Sequence, residues 1–434
     1  VALLRAFVRA GIEPRDIALA APTGKAAWRM GASIRNGLLQ LQTIDASDQS
    51  LMDQCPQPST LHRLLEYSPQ QGRFRRHRHD PIGARVVIID EGSMIDALLM
   101  ERLVSALQSH TQLVILGDAD QLPSVSAGAV FRDFLSVSPE ACATLRHSYR
   151  MRADDPNGSA ILGFAHLVNR GAEEPELRGG ILARPALSEV KGRGVEFIEH
   201  GDGTPTQFLD LWFERHISWG ELALDALGTW QLKHGQLVDE AVPRMVDCFA
   251  FLEASRILSL TRAWNTGVER TNAYLHRKAL SSQGISEAEF ACGEPVMMLT
   301  NDYARGLFNG DQGLIVRVCE NESERLAVVF PTLDGVRVYD LDPLRSQLEL
   351  AYCMTVHKSQ GSEYERIAIL LPAEELPILS RELLYTGITR SRSGVMLVGQ
   401  MKMLAYAVDH PTERSSGLKD RLEMHRVQHA SSDL

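Results

Sequence analysis

The sequence predicts an α/β protein of two domains, the second interrupted by a small β-barrel. Three observations predict it. First, short apolar runs end in polar, glycine-containing turns: "DIALAAPTGKAA", "ARVVIIDEGSM", "TQLVILGDADQL", "SRILSLTRAW", "ERIAILLPAEE" and "SGVMLVGQ". Runs of about four to six apolar residues bounded in this way suit strands buried on both faces of a parallel sheet. Amphipathic stretches such as "DALLMERLVSALQSH" lie between them and supply the crossover helices such a sheet needs. Second, residues 291–350 break the pattern with short alternating runs and the turn pairs "NGD" and "DG", which signal hairpins. Third, 434 residues leave room for two or three domains.

In chain order, "VALLRAFVRAG" reads as an amphipathic helix already under way at the first residue, which is Val and not Met. "DIALA" is the first buried strand. The following "LAAPTGKA" (19–26) invites comparison with a phosphate-binding loop, GxxxxGK[ST], whose backbone N–H groups, Lys and hydroxyl hold phosphates and Mg²⁺. Leu19 stands where the first glycine is required and Ala26 where the hydroxyl is required, so the segment is not that loop. No other segment matches either. "GRFRRHRHD" (72–80) is strongly basic. Such a run is either a solvated surface loop or a local nucleic-acid footprint.

"VVIIDEGSMID" delivers two adjacent carboxylates, Asp90 and Glu91, from the end of an apolar strand. In nucleoside triphosphatases a first carboxylate at such a place holds Mg²⁺, and a second can orient and deprotonate the attacking water. "LVILGDADQ" ends a second strand in a bend from which Asp118 and the amide of Gln121 project. Arg150 in "LRHSYRM" and Arg390 in "LLYTGITRSRSG" offer planar bidentate donors for a phosphate. "AYCMTVHKSQGSEY" ends a further strand in hydroxyl, amide and cationic donors before Gly361, a set suited to a phosphodiester backbone. His357 has no second His or Cys at ligand spacing, which argues against a metal there. Residues 171–255 read as mostly helical and carry no usable motif.

Composition bounds the rest. With 44% hydrophobic and 23% charged residues, the chain is neither disordered nor fibrous. No apolar run is long enough to cross a membrane and no signal peptide opens the chain. The six cysteines are scattered without a CxxC pair, which argues against a zinc site or a disulfide framework and suits the cytoplasm. A net charge of −10 gives no global field for nucleic acid, so any such contact is local.

In order, "APTGKAA", "STLHRLL", "IIDEGSMID", "LGDADQLPSVSAGAVF", "LRHSYRM", "TVHKSQGSE" and "LLYTGITRSR" resemble the motifs of superfamily 1 helicases of the 5′→3′ branch. The likeness is to RecD-like alpha subunits of exodeoxyribonuclease V and runs from residue 21 to about residue 395. The resemblance implies two RecA-like parallel-sheet domains with an SH3-like β-barrel inserted in the second. Their bounds would be 1–143 for the first, 144–290 with 351–410 for the second, 291–350 for the barrel and 411–434 for a C-terminal tail. It implies a motor that uses ATP and Mg²⁺, with Asp90 on the metal and Glu91 as catalytic base. Gln121, Arg150 and Arg390 would contact the γ-phosphate, and Gln360, Gly361 and Glu363 would complete the nucleotide site. Pro22, Thr23, Lys25, Thr60, His62, Thr355, His357, Lys358 and Ser359 would line a single-stranded DNA track. Implied partners are single-stranded DNA, duplex ends and the beta and gamma subunits, RecB and RecC, in the bacterial cytoplasm near the nucleoid, with no membrane. Nuclease activity would belong to the beta subunit. In this family the phosphate-binding loop precedes the helix that "VALLRAFVRAG" resembles, so the chain is expected to start just after it, with its first strand missing.

Overall fold

A computed structural model describes residues 1–124, 128–145, 151, 154–218, 220–332, 335–412 and 417–430, the last six of these by backbone alone. The chain forms two compact units, residues 1–146 with 413–434, and residues 147–412.

The first unit is built on four parallel strands: β1 (Ile17–Ala21), β2 (Ser59–Thr60), β3 (Val86–Ile89) and β4 (Gln112–Ile115), in the order β2–β1–β3–β4. The all-apolar sequence of β3 follows from its position. Val87 and Ile89 pack on one face with Leu61, Leu65, Met100 and Leu103, while Val86 and Ile88 pack on the other with Leu4, Leu19, Ile34 and Leu51. A strand covered on both faces cannot alternate with polar residues. Each fully buried Val or Ile contributes about 1.5–3 kcal/mol, so the run is also the sheet's main anchor. Because all four strands run the same way, their carboxyl ends share one edge of the sheet. The C-terminal helix Leu418–Ala430 groups with this unit, and Leu418 packs against the β3 core.

The second unit carries six parallel strands: β5 (Leu182–Ala183), β6 (Gly194–Glu199), β7 (Ser255–Ser259), β8 (Cys353–Thr355), β9 (Tyr364–Leu370) and β10 (Ser391–Gly399). Their order is β8–β7–β9–β10–β6–β5. Two of these strands correct the helical reading of 171–255. "GVEFIE" forms β6 because Val195, Phe197 and Ile198 are buried, while Glu196, also buried, is satisfied by Arg184 and by the N–H groups of Lys191 and Gly192. A carboxylate in the middle of the run hides the apolar signature of a buried strand.

The inserted sheet is also larger than the sequence suggests. Strands Pro295–Met298, Gln312–Glu320, Ser323–Thr332, Gly335–Asp340 and Leu348–Leu350 are joined by Thr229–Lys233 and Gln236–Leu237 from well outside 291–350. Thr229–Lys233 pairs in parallel with Gln312–Glu320, a long-range contact that no hairpin signal announces. The sheet is nearly closed. Gln236 brings the ends together with its side chain, donating to the Val338 carbonyl at 3.1 Å and accepting the Val338 N–H at 2.9 Å. The expected SH3-like barrel is thus a nearly closed sheet in which an amide side chain stands in for part of the final ladder.

Candidate nucleotide and nucleic-acid sites

In the first unit the carboxyl edge gathers the residues singled out in the sequence. Leu19 is a buried strand residue of the core. After it, Pro22 and Thr23 leave β1, and Thr23 caps the helix Gly24–Leu39 by accepting the Ala26 N–H at 3.2 Å. "APTGKAA" is therefore strand, cap and helix, with Lys25 in the first turn. Thr60 does the same at the end of β2, accepting the Arg63 N–H at 3.2 Å. Ala21 lies opposite Thr60 in the register of β1 and β2. Each capping hydroxyl uses a lone pair for the helix and retains its proton for an outside acceptor.

His62 follows Thr60 and is accessible, yet its ring packs 5.5 Å from Tyr67 and 5.7 Å from Phe74. Partial burial lowers its pKa, opposed by Asp96. Tyr67 and Phe74 belong to the two-stranded hairpin that carries the basic run. Arg76 is tied to Glu66 and Asp80, whereas Arg73 and Arg78 are exposed and have no ion-pair partner among the described residues.

Asp90 and Glu91 emerge from β3. The Asp90 N–H bonds to the Ala20 carbonyl at 3.0 Å, and Asp90 Oδ1 accepts the Glu91 N–H at 2.9 Å. Glu91 has a left-handed backbone, φ 55°, which turns the chain sharply behind the two carboxylates. The next residue has to be glycine. A Cβ on Gly92 would lie 2.4 Å from Ile115 Cγ2, because the Gly92 N–H bonds the Leu116 carbonyl at the end of β4. This contact fixes the ends of β3 and β4 side by side. On the β4 side, Gln121 is buried and donates to Asp118 Oδ2 at 3.0 Å.

The donor set fits Mg²⁺. Burial raises the Asp90 pKa, opposed by the Glu91 N–H and Arg29, so a cation beside Asp90 would favour its ionised form. Ser93 Oγ, in the same turn, is buried without a hydrogen-bond partner. Among the described residues no group of three or more His, Cys, Asp or Glu could hold a metal by protein atoms alone. Mg²⁺ keeps waters and binds through one or two carboxylates plus substrate phosphates, a role for which the Asp90 carboxylate is a suitable ligand.

In the second unit the expected residues fall on two opposite edges. Thr355 ends β8, and its hydroxyl accepts the Lys358 N–H at 3.3 Å, repeating the arrangement of Thr23 and Thr60. His357 and Lys358 follow in a short turn. Ser359 is fully buried, with its hydroxyl donated to the Val356 carbonyl at 2.7 Å. Gln360, Gly361 and Glu363 come before β9, and Arg390 comes before β10. Tyr364 pairs with Ser391, so these four residues sit at the amino edge. These four therefore stand on the edge opposite to Thr355, His357 and Lys358. Arg390 is buried, donating to the carbonyls of Thr386 and Ser362, and its own carbonyl accepts the Tyr364 N–H. Glu363 accepts from Arg392 at 2.8 Å. Arg150 lies outside the described residues.

Sequence reasoning missed Glu349. This carboxylate, on the inserted sheet, accepts from Arg262 at 3.1 Å and from the Lys358 ammonium. Only its place in the nearly closed sheet brings it to these cations.

Comparison with known proteins bears on these arrangements. A family described as an AAA domain matches residues 1–127, and one described as a UvrD-like helicase C-terminal domain matches residues 350–398. The RecBCD enzyme subunit RecD of Mycolicibacterium smegmatis is 30% identical over 422 residues, covering 95% of this chain and 67% of its own length. The ATP-dependent RecD2 DNA helicase of Deinococcus radiodurans is 28% identical, covering 94% of this chain and 47% of its own length. The crystal structure of Bacteroides Pif1 bound to ssDNA aligns over 99% of this chain and 91% of its own at 15% identity, with a TM-score of 0.44. The chain spans about two thirds of the length of the RecD relatives it matches.

Proposed function

Since the chain belongs to the family of RecD subunits of the RecBCD enzyme, we propose that it is the motor portion of an ATP-dependent 5′→3′ DNA helicase. On this reading it works as the alpha subunit of a helicase–nuclease in double-strand break repair and recombination. Its partners are the beta and gamma subunits, RecB and RecC, and its place is the bacterial cytoplasm, near the nucleoid. The observation that carries the reading is the carboxyl edge of the first sheet, where Asp90 and Glu91 are locked beside the turn of Asp118 and Gln121.

The roles follow from chemistry. Asp90 would hold Mg²⁺, whose charge would neutralise that of the phosphates. Glu91 accepts a proton from the attacking water. Gln121, Arg150 and Arg390 act on the γ-phosphate, with Gln360, Gly361 and Glu363 beside it. Thr23, Thr60 and Thr355 keep a hydroxyl proton to donate to DNA phosphates. Pro22, Lys25, His62, His357 and Lys358 complete the track, while Ser359 holds its turn from within. Arg73 and Arg78 on the basic hairpin extend the cationic surface.

In the full-length protein, Glu91→Gln is expected to keep ATP binding and to reduce turnover by at least a hundredfold, since an amide cannot accept the proton. Normal turnover in that variant would refute the assignment. No segment of the 434 residues reads GxxxxGK[ST]. A polypeptide limited to them is expected to bind ATP weakly and not to hydrolyse it, and DNA-stimulated ATPase activity from it would overturn that expectation. A stand-alone helicase of the same branch is the second reading, favoured by the likeness to RecD2. Co-purification with beta and gamma subunits separates the two. A catalytically silent DNA-binding or scaffold subunit is a third reading, and the retained Asp90, Glu91 and Gln121 speak against it.

A further inference from the structure

Beyond the phosphate-facing track, we propose that Trp264 is a stacking platform for a base of the single strand. The proposal rests on the reading above, in which Thr355 and Lys358 meet DNA phosphates.

Strands β7 and β8 are parallel neighbours with Ser259 opposite Thr355, and the Val356 N–H bonds the Ser259 carbonyl at 3.1 Å. The loop after β7 and the turn after β8 therefore leave the same edge together. They are also joined through charge, because Arg262 in the loop and Lys358 in the turn share the carboxylate of Glu349.

The loop is rigidly built. Buried Ser259 Oγ lies 2.9 Å and 2.8 Å from the carbonyls of Thr261 and Thr266 and accepts the Thr261 N–H at 3.1 Å. Thr261 donates to the Ala263 carbonyl at 2.9 Å, and Thr204 donates to the Asn265 carbonyl at 2.9 Å. The Gly267 N–H closes the turn onto the Trp264 carbonyl at 3.1 Å. Only glycine fits at 267, since a Cβ there would stand 1.8 Å from the Ala263 oxygen.

This scaffold holds Trp264 at φ 80°, a left-handed conformation that a bulky aromatic rarely adopts, and leaves the residue 54% exposed. Its indole has no hydrogen-bond or ring partner among the described residues. The fold thus spends backbone strain to expose a large aromatic residue on the loop that also carries Arg262. Strain of this kind is retained where it serves a site. A π-face beside phosphate donors is how proteins hold single strands without reading sequence. The occupant is a nucleobase whose own phosphates run past Thr355 and Lys358.

The experiment compares binding of an oligodeoxythymidine and an abasic strand of equal length to the full-length protein and to Trp264→Ala, Trp264→Gly, Trp264→Phe and Thr355→Ala. Stacking is worth about 1–3 kcal/mol per base, or about 5- to 150-fold. Trp264→Ala and Trp264→Gly are expected to weaken the thymidine strand within that range, to leave abasic binding unchanged, and Trp264→Phe to restore most of the loss. Trp264→Gly is also expected to raise Tm, because glycine relieves the left-handed strain. A merely structural tryptophan would not separate stability from binding in this way. Equal weakening of both strands, or no change in either, would overturn the platform. If Thr355→Ala still weakens both strands in that case, the track stands without it. If the unsubstituted protein binds neither strand, the underlying reading fails and the platform with it.

Discussion

At the scale of single residues, the side chains expected to grip DNA are already employed inside the protein. The threonines at 23, 60 and 355 each stand at or just after a strand's end and cap the next turn, which orients the hydroxyl without consuming its proton. Lys358 is held differently. Its ammonium and the guanidinium of Arg262 both rest on Glu349, whose side chain is only 17% exposed. On the proposed reading, a strand entering the track would compete with that carboxylate for the two cations. Glu349→Gln is expected to raise single-strand affinity several-fold, since it frees two cations and removes a repelling charge. Fluorescence anisotropy at constant salt checks this, and unchanged or weaker binding would mean that Glu349 organises the cations rather than competing for them. At "DEGSMID" the apolar run places Asp90 and Glu91 directly after β3, and that position is legible in the sequence. Glu349 is not, because its role depends on a strand of the inserted sheet that contact with the track residues alone reveals.

At the scale of elements, legibility followed the simplicity of the local pattern. β3 is readable because it is apolar throughout, and β7, β9 and β10 because each carries an apolar run, "IL", "IAIL" and "VMLV". β6 is not, since Glu196 interrupts the run and is satisfied by Arg184 and by the N–H groups of the turn just before the strand. Thr229–Lys233 escaped because its partner strand is far along the chain. Arg390 and Glu363 precede their strands, so strand order alone does not bring them to the edge of Thr355. The first helix shows an element held by charge as well as by packing. Arg5 grips both oxygens of Asp48 at 2.6 Å and 2.8 Å, Arg9 adds a contact at 3.2 Å, and Asp48 in turn accepts the Asp45 N–H. The Arg5 hydrogen bonds, aided by that N–H, push the Asp48 pKa down from 3.8 to about 2 against the cost of its burial. The unfolded chain therefore takes up this proton near pH 4, and the folded chain only near pH 2. The clamp's contribution is complete above about pH 4 and is lost as the pH falls from there to about 2. Asp48→Asn is expected to lower Tm at pH 7, and the gap to the parent protein should close across that window. Thermal melts at stepped pH check this, and a gap that stays constant would locate the stabilisation in packing alone.

At the scale of the whole molecule, a net charge of −10 has to coexist with binding to a polyanion. The resolution lies in placement. Cations near the expected track include Lys25, Arg63 and the hairpin arginines Arg73 and Arg78 in one unit, and Lys358 and Arg262 in the other. Acidic residues elsewhere keep the net charge negative, so long-range steering toward DNA is expected to be weak and affinity to come from short-range phosphate contacts. This has a measurable form. Each phosphate contact to a single strand contributes about −0.7 to the slope of log K against log salt. Lys358→Met is expected to make the slope less negative by about 0.7 and to weaken binding alike for thymidine, adenine and mixed strands. Trp264→Ala, in contrast, is expected to weaken binding with no change in slope, because stacking releases no counterions. The pair of substitutions therefore separates the two halves of the grip in one titration series. A slope change in Trp264→Ala, or none in Lys358→Met, would show that charge and stacking are not divided between these two residues as the geometry of β7 and β8 implies.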